Sequence, residues 1–408
     1  LSKVLSREKF LTFPTNHNYN LSEVVRHRAW VEIGEDALAH NVREIKRIVS
    51  PQTELMAVVK ADAYGHGAAK VAETVLQSGC SALAIATLGE GIDLRQAGIT
   101  APILLLGAIN TPEEIKALVH WQLQPTICNP QQAVVFSETL SQLDRTLPVH
   151  LKLDTGMSRL GTDWKEAGEF VSLVQSYRRL TLTSIYSHLA TADDPDPTVM
   201  KQQQQRFAKA IELLRFSPSQ RPRFHLANSA ATLSNPSAHY DLVRIGLALY
   251  GLYPAPHLHS RLNLQPVMQV RARITQVKTI PSGTGVSYGH KYISDRTMRL
   301  AVVGIGYADG VPRNLSNRLQ VLLRGRSVPQ IGTITMDQIM LDVSSIPDVQ
   351  PGEVVTLIGK DGESEISADD WANALGTISW EILCGFKHRL PRISKAKSVD
   401  HKLLGNKS

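Results

Sequence analysis

The run AVVKADAYGHG, residues 57–67, sets the reading of the whole chain. Ala57, Val58 and Val59 form an unbroken apolar stretch, the pattern of a strand buried on both faces of a parallel sheet. Lys60 follows where that strand ends. The turn after it holds Tyr64, Gly65, His66 and Gly67, and a helical stretch through Val71 and Val75 comes next. Strand, polar turn and helix make one unit of an α/β fold. The unit recurs along the chain. WVEI at 30–33 precedes a stretch whose Leu38, Val42, Ile45 and Val49 share one helical face. ALAIAT at 82–87, PILLLG at 102–107 with a helix after Thr111 and Pro112, VHLKLD at 149–154, LTSIYSH at 182–188 and RFHLAN at 223–228 continue the succession. About eight such units fit a closed TIM (β/α)8 barrel better than an open sheet.

Beyond Gln265 the texture changes. In VMQVRARITQVK at 267–278, Met268, Val270, Ala272 and Ile274 alternate with Gln269, Arg271, Arg273 and Thr275, the period of a half-exposed strand. RLAVVGI, RLQVLLRG, QIMLDV and EVVTLIG follow as short strands between glycine- or proline-containing turns. The expected organisation is a leader over 1–27, a barrel over 28–264, a mainly β domain over 265–393 and a basic tail over 394–408.

Composition narrows the class of function. With 43% hydrophobic and 20% charged residues the 408-residue chain has the make-up of a soluble globular enzyme. Nowhere does an apolar run approach the roughly 20 residues that span a bilayer, so no membrane role is expected. The net charge is +7, but the last 24 residues hold seven lysines and arginines against Asp400 and supply nearly all of it. A short basic terminus of that kind does not imply nucleic acid. Cys80, Cys128 and Cys384 lie far apart, without the spacing of a zinc site or a disulfide framework, which suggests a reducing compartment. Charged residues interrupt the first 26 positions, so a secretory signal is not supported. No HExxH or similar spacing points to a metal.

The chemistry sits where apolar runs end, which is where barrels assemble their sites. A lysine leaving a buried strand loses hydration, its amine becomes easier to deprotonate, and it can then form a Schiff base with an aldehyde. An isolated lysine there would ordinarily snorkel to water. HLKLDTGMSRLG at 150–161 sets Lys152, Asp154 and Arg159 around a glycine turn, suited either to an internal ion pair or to a carboxylate held by the arginine. His188 in SHLATAD stands at a strand end, as a hydrogen-bonded core residue or a catalytic one. Asn228 and Ser229 in HLANSAAT offer a helix cap or an anion site. VRIGLALYG at 243–251 then brings Arg244, Gly246 and Leu247, with glycine allowing close backbone approach. GTGVSYGHKY at 283–292 and GIGYADG at 304–310 carry Tyr288 and Tyr307 in turns whose glycine spacing is wrong for a dinucleotide loop. ITMDQIM at 334–340 places Met336 and Asp337 before a strand.

Taken in order over about residues 28–393, these motifs resemble the alanine racemase family. The resemblance implies pyridoxal 5'-phosphate joined to Lys60 and two bases, Lys60 and Tyr288, exchanging the α-proton of alanine on opposite faces, Lys60 serving the D-isomer and Tyr288 the L-isomer. It places Tyr64, His188, Asn228, Ser229, Gly246 and Leu247 around the cofactor, with Arg244 facing its ring nitrogen. Arg159 and Met336 would meet the substrate, while Lys152, which matches a lysine often carbamylated, Tyr307 and Asp337 support them. Tyr288 and Met336 would come from the second subunit of a homodimer. The chain departs from the pattern at Trp380, in GTISWEILCGFKHRLPR, where a phosphate-binding tyrosine is usual; indole has only its N–H to donate. The implied role is supply of D-alanine for peptidoglycan in the cytoplasm. Rival readings are a serine or broad-specificity racemase, a non-catalytic pyridoxal-phosphate carrier, which would lack the β domain, and a barrel-type decarboxylase.

Overall fold

In the computed structural model, residues 28–394 are described, apart from 215 and 217–219. The proposed leader and residues 395–408 of the basic tail lie outside the described residues. The chain starts with β1 (Ala29–Ile33), and the barrel is then built from β2 (Glu54–Val58), β3 (Ala82–Ile85), β4 (Ile103–Ala108), β5 (Gln124–Ile127), β6 (Leu147–Asp154), β8 (Leu180–Tyr186), β9 (Arg223–His225) and β10 (Leu242–Ile245), with a two-residue β7 (Thr162–Asp163) beside β6. Every pair along the path from β10 through β2 to β9 is parallel. Two backbone bonds draw the last gap together: the Asp241 N–H donates to Phe224 O and the Arg244 N–H to Ala227 O, each at 3.0 Å. The sheet is thus a nearly closed barrel of eight parallel strands, with helices such as Glu35–Ile48 and Ala68–Gln77 packed outside it.

WVEI forms a strand, but not a barrel strand. It pairs antiparallel with β11 (Met268–Ile280) and parallel with β20 (Arg392–Ser394), inside the sheet of the second domain. In that sheet Glu32 finds a charged partner. Across the ladder Glu32 accepts from Arg271 Nε at 3.0 Å, and the Arg273 guanidinium lies 5.4 Å from the Trp30 ring centre. The places in the barrel go to QPTI (β5) and LVRI (β10), short segments whose strand character the sequence reading passed over. The chain leaves the β domain at Gly34 and re-enters at Val267, and these two points are joined by the Gly34 N–H on Val267 O at 2.8 Å.

The second sheet runs β16–β15–β18–β11–β1–β20 through β15 (Gln320–Leu323), β16 (Arg326–Pro329) and β18 (Val354–Asp361), with β14 (Met298–Val303), β17 (Ile339–Asp342) and β19 (Ser364–Ile366) branching from it. The alternation in β11 is as read: Met268, Val270, Ala272 and Ile274 are buried and their neighbours are not. A small hairpin of β12 (Gly285–Val286) and β13 (Tyr292–Ile293) carries Tyr288 at its tip. Two helices, Ala368–Leu375 and Ser379–Gly385, close the domain, and the second lies against the turn that follows Lys60. No helix among the described residues is long and apolar enough to cross a membrane.

Candidate active site

Lys60 opens a turn of unusual hand. Ala61, Asp62, Ala63 and Tyr64 all have φ between 52° and 55° with ψ between 38° and 50°, a full turn of left-handed helix made of non-glycine residues. Each such residue costs roughly 1–2 kcal/mol, so the surroundings must hold it. Glu90 accepts the Ala61 N–H at 2.7 Å, Asp62 caps the following helix through the Ala68 N–H at 2.7 Å, and His66 Nδ1 donates to the carbonyls of Ala63 and Tyr64 at 2.9 and 3.1 Å. Gly65 is required here, since its φ is +82° and a Cβ would meet Leu383 O at 2.4 Å. The Gly65 carbonyl accepts from Arg392 at 3.0 Å. The C-terminal segment therefore clamps the lysine turn.

Above the turn lies a cavity of about 620 Å³, within the range that holds small cofactors. Lys60, Tyr64, Lys152, Arg159, His188, Asn228, Ser229, Arg244, Gly246, Leu247 and Trp380 all line it, so the structure brings together eleven of the residues singled out in the sequence. At one end Asn228 is the helix cap, accepting the Ala231 N–H at 3.0 Å, while the Ser229 hydroxyl accepts the N–H groups of Gly246 and Ala248 at 3.1 and 3.3 Å. A Cβ on Gly246 would fall 2.7 Å from the Tyr64 hydroxyl, so only glycine keeps this corner open. Trp380 and Cys384 reach the cavity from the Ser379–Gly385 helix.

Opposite lies a cationic wall. Arg244 is buried and forms no ion pair among the described residues; it donates to His225 Nδ1 at 2.7 Å, Ser187 O at 2.7 Å and Leu226 O at 3.1 Å. Burial lowers its guanidinium to about 10, still charged at neutral pH. His188 approaches Arg244 through Nδ1 at 3.3 Å, and burial together with the nearby cations keeps its ring neutral. Burial, reinforced by Arg244, brings the Lys152 amine down to about 8. Lys152 and Arg244 both sit over the Tyr186 ring, at 5.5 and 5.1 Å. Burial also pushes the Tyr64 phenol up to about 12.

Four singled-out residues stay apart from this cavity. Tyr288, Met336 and Tyr307 are 73%, 52% and 41% exposed in the β domain. They are tied to one another: Thr333 donates to Tyr288 O at 2.8 Å, the Tyr307 N–H to Thr335 O at 2.9 Å and the Ala308 N–H to Met336 O at 3.1 Å. Asp337 pairs with Arg389 at 2.6 Å. Tyr288 follows Ser287, whose φ of 63° and ψ of −171° belong to a region that side chains avoid.

The sequence reading missed Tyr186, His225, Tyr250 and Glu90, and left Cys384 unplaced. Tyr250 bonds Val58 O at 2.9 Å and stacks on His66. One signal was available. In HxKxD at 150–154 and SxYxH at 184–188, polar residues alternate inside strands that should be apolar throughout, which marks a polar barrel interior.

A barrel whose strand ends gather an amine, an anion cradle and an unpaired guanidinium, joined to a β domain, defines an enzyme class acting on small charged molecules. Family models for the alanine racemase N-terminal domain and C-terminal domain match residues 33–254 and 267–394. The alanine racemase of Synechocystis sp. is 67% identical over 370 residues, covering 91% of this chain and all of that relative; that of Nostoc sp. is 64% identical, covering 90% and 95%. The crystal structure of alanine racemase from Bacillus anthracis with bound L-Ala-P superposes with a TM-score of 0.85 at 35% identity, covering 91% of this chain and 96% of that one. The chain belongs to the alanine racemase family.

Proposed function

We propose that the chain interconverts L- and D-alanine with pyridoxal phosphate held in the barrel cavity. One observation carries the reading: Lys60, the Ser229–Gly246 cradle and the unpaired Arg244 face a single cavity of matching size. These residues suit the cofactor by their chemistry. The amine of Lys60 would hold its aldehyde carbon. Its phosphate would take Ser229, Gly246 and Leu247, with Tyr64, Asn228 and Trp380 around it; Trp380 offers only an N–H, so water is expected to share that contact.

When bound, pyridoxal phosphate supplies the electron-withdrawing ring that acidifies an amino acid's α-C–H. Arg244 would face the ring nitrogen and keep its own proton there, since its acceptors are neutral and its guanidinium stays charged. Arg159 binds the substrate carboxylate through its planar fork, with Lys152 behind it. Lys60 Nζ takes or returns the α-proton on one face, and Tyr288 Oη of a second copy does so on the other, with Met336, Tyr307 and Asp337 of that copy beside it. The exposure of Tyr288, Tyr307 and Met336 on one face, away from the cavity of their own chain, supports a homodimer with shared sites. Burial of His188 in neutral form leaves it as an uncharged partner near the reacting groups. The D-alanine would serve peptidoglycan synthesis in the cytoplasm.

The test is chiral analysis of purified protein incubated with pyridoxal phosphate and L-alanine. Convergence to equal isomers is expected, lost in Lys60→Ala and slowed in both directions in Tyr288→Phe. Racemisation of serine in preference to alanine, or cofactor binding without turnover, would overturn the reading.

A further inference from the structure

We infer that Ser184 and His150 are positioning residues for Arg244, acting through His225 as a one-directional hydrogen-bond chain that runs down the inside of the barrel to Gln124. The contacts follow one another across five strands, β10, β9, β8, β6 and β5. Arg244 Nη1 lies 2.7 Å from His225 Nδ1, His225 Nε2 lies 2.8 Å from Ser184 Oγ, Ser184 Oγ lies 2.6 Å from His150 Nδ1, and His150 Nε2 lies 2.9 Å from Gln124 Oε1. Strand register places them so: His150 on β6 is opposite Ser184 on β8, and Tyr186, two residues on, is opposite His225 on β9. Arg244, His225, Ser184 and His150 are all buried.

The direction of every bond follows from its first member. A guanidinium has five donors and no acceptor, so His225 Nδ1 must accept. A neutral imidazole that accepts at Nδ1 carries its proton on Nε2 and gives it to Ser184. The Ser184 hydrogen is then free to go to His150 Nδ1, whose ring in turn protonates at Nε2 and donates to the side-chain carbonyl of Gln124. Burial, aided by Arg223 at His150 and by Arg244 at His225, holds both rings neutral, as the chain requires. Tyr186 lies flat on His225, with centroids 4.7 Å apart and planes 5° off parallel, and its hydroxyl is engaged 2.7 Å away by Thr126, which itself donates to Leu105 O. The plane of His225 is fixed and the Tyr186 hydroxyl does not compete for it.

The consequence reaches the cavity. If His225 took the other tautomer, an N–H would face the Arg244 N–H and the guanidinium would lose its shortest side-chain contact. The chain therefore sets where Arg244 points while leaving its charge unneutralised. That it matters for catalysis rests on the reading above, in which Arg244 faces the cofactor ring; the tautomers do not depend on it.

The experiment uses full-length protein labelled with 15N-histidine, with and without pyridoxal phosphate, and two-bond 1H–15N correlations assigned through His150→Gln and His225→Gln. Both rings are expected to be neutral with the proton on Nε2 in either state. Ser184→Ala should leave the His225 Nε2–H without its acceptor and shift the His225 ring signals while Arg244 keeps Nδ1 as acceptor, and should lower kcat about tenfold, the loss of roughly one hydrogen bond, with little change in KM for alanine. Ser184→Thr, which keeps the hydroxyl, should restore both. Should Ser184→Ala not fold, Gln124→Leu at the half-buried end of the chain makes the same test on His150. A proton on Nδ1 of either ring, histidine signals unchanged in Ser184→Ala, or a Ser184→Thr protein indistinguishable from Ser184→Ala would overturn the inference. These tautomers in a protein that makes no D-alanine would sink the proposed activity and leave the chain standing; D-alanine formation with the wrong tautomers would do the reverse.

Discussion

His66, His150 and His225 are each enclosed by groups that suit a neutral ring, and burial pushes all three below the ordinary 6.5, His66 to about 4 and His150 to about 3. The sign of the effect on stability follows. Below pH 6.5 the unfolded chain takes up protons that the folded chain refuses, so stability is full above that value and falls as pH drops toward 4. Each histidine contributes about 1.4 kcal/mol per pH unit within that window. Urea midpoints measured between neutral and mildly acidic pH should therefore fall steadily; a flat profile would mean the rings are protonated in the fold. At this scale Lys60, Arg159 and Arg244 were legible because each stands beside a turn signal. His150 and His225 were quoted only as flanks of motifs, because what makes them matter is contact with strands far away in sequence.

The element that gives Lys60 its place is the left-handed turn Ala61–Tyr64, and its support comes from a different unit of the barrel. Glu90 accepts the Ala61 N–H and also the N–H groups of Ala86 and Thr87, at 2.7 and 3.0 Å, while closing a capping box with Thr87. Glu90→Ala is expected to cost about 2 kcal/mol, typical of hydrogen bonds to a charged group, and to slow racemisation by freeing the residue next to Lys60. Glu90→Gln, which keeps one acceptor oxygen, should recover part of both. Chemical denaturation of the two variants decides it: equal stability to the parent would mean the turn holds itself. The glycines at 65 and 67 announced a turn, but its hand was not legible. Alanine and aspartate favour right-handed backbone in isolation, and although the His66 imidazole is local, the Glu90 carboxylate and the Arg392 guanidinium that support the turn come from elsewhere.

Across the whole molecule, the two domains are stitched together twice, by β1 at the start and by the Ser379–Gly385 helix and β20 at the end. One chain thus finishes its own barrel cavity with Trp380 and Cys384, yet leaves Tyr288 outside it. If a second copy supplies that tyrosine, mixing the inactive Lys60→Ala protein with the slowed Tyr288→Phe protein should raise racemisation above that of either alone. Random pairing gives heterodimers with one intact site, so recovery to roughly a quarter of the parent activity is expected. Re-equilibrated mixtures no more active than either protein alone would place both bases in one chain.

The succession of apolar runs and turns was enough to read an eight-unit barrel followed by a β domain, and the ordered motifs were enough to pick out Lys60, Ser229 and Gly246, which meet in one cavity. Local sequence carries such information because period and turn chemistry act between near neighbours. Which sheet receives WVEI, what hand the lysine turn takes, and which polar groups meet inside the barrel depend on groups up to hundreds of residues apart. Those outcomes are settled by cross-strand pairing and by the need of every buried donor to find an acceptor, and they appear when the chain is folded.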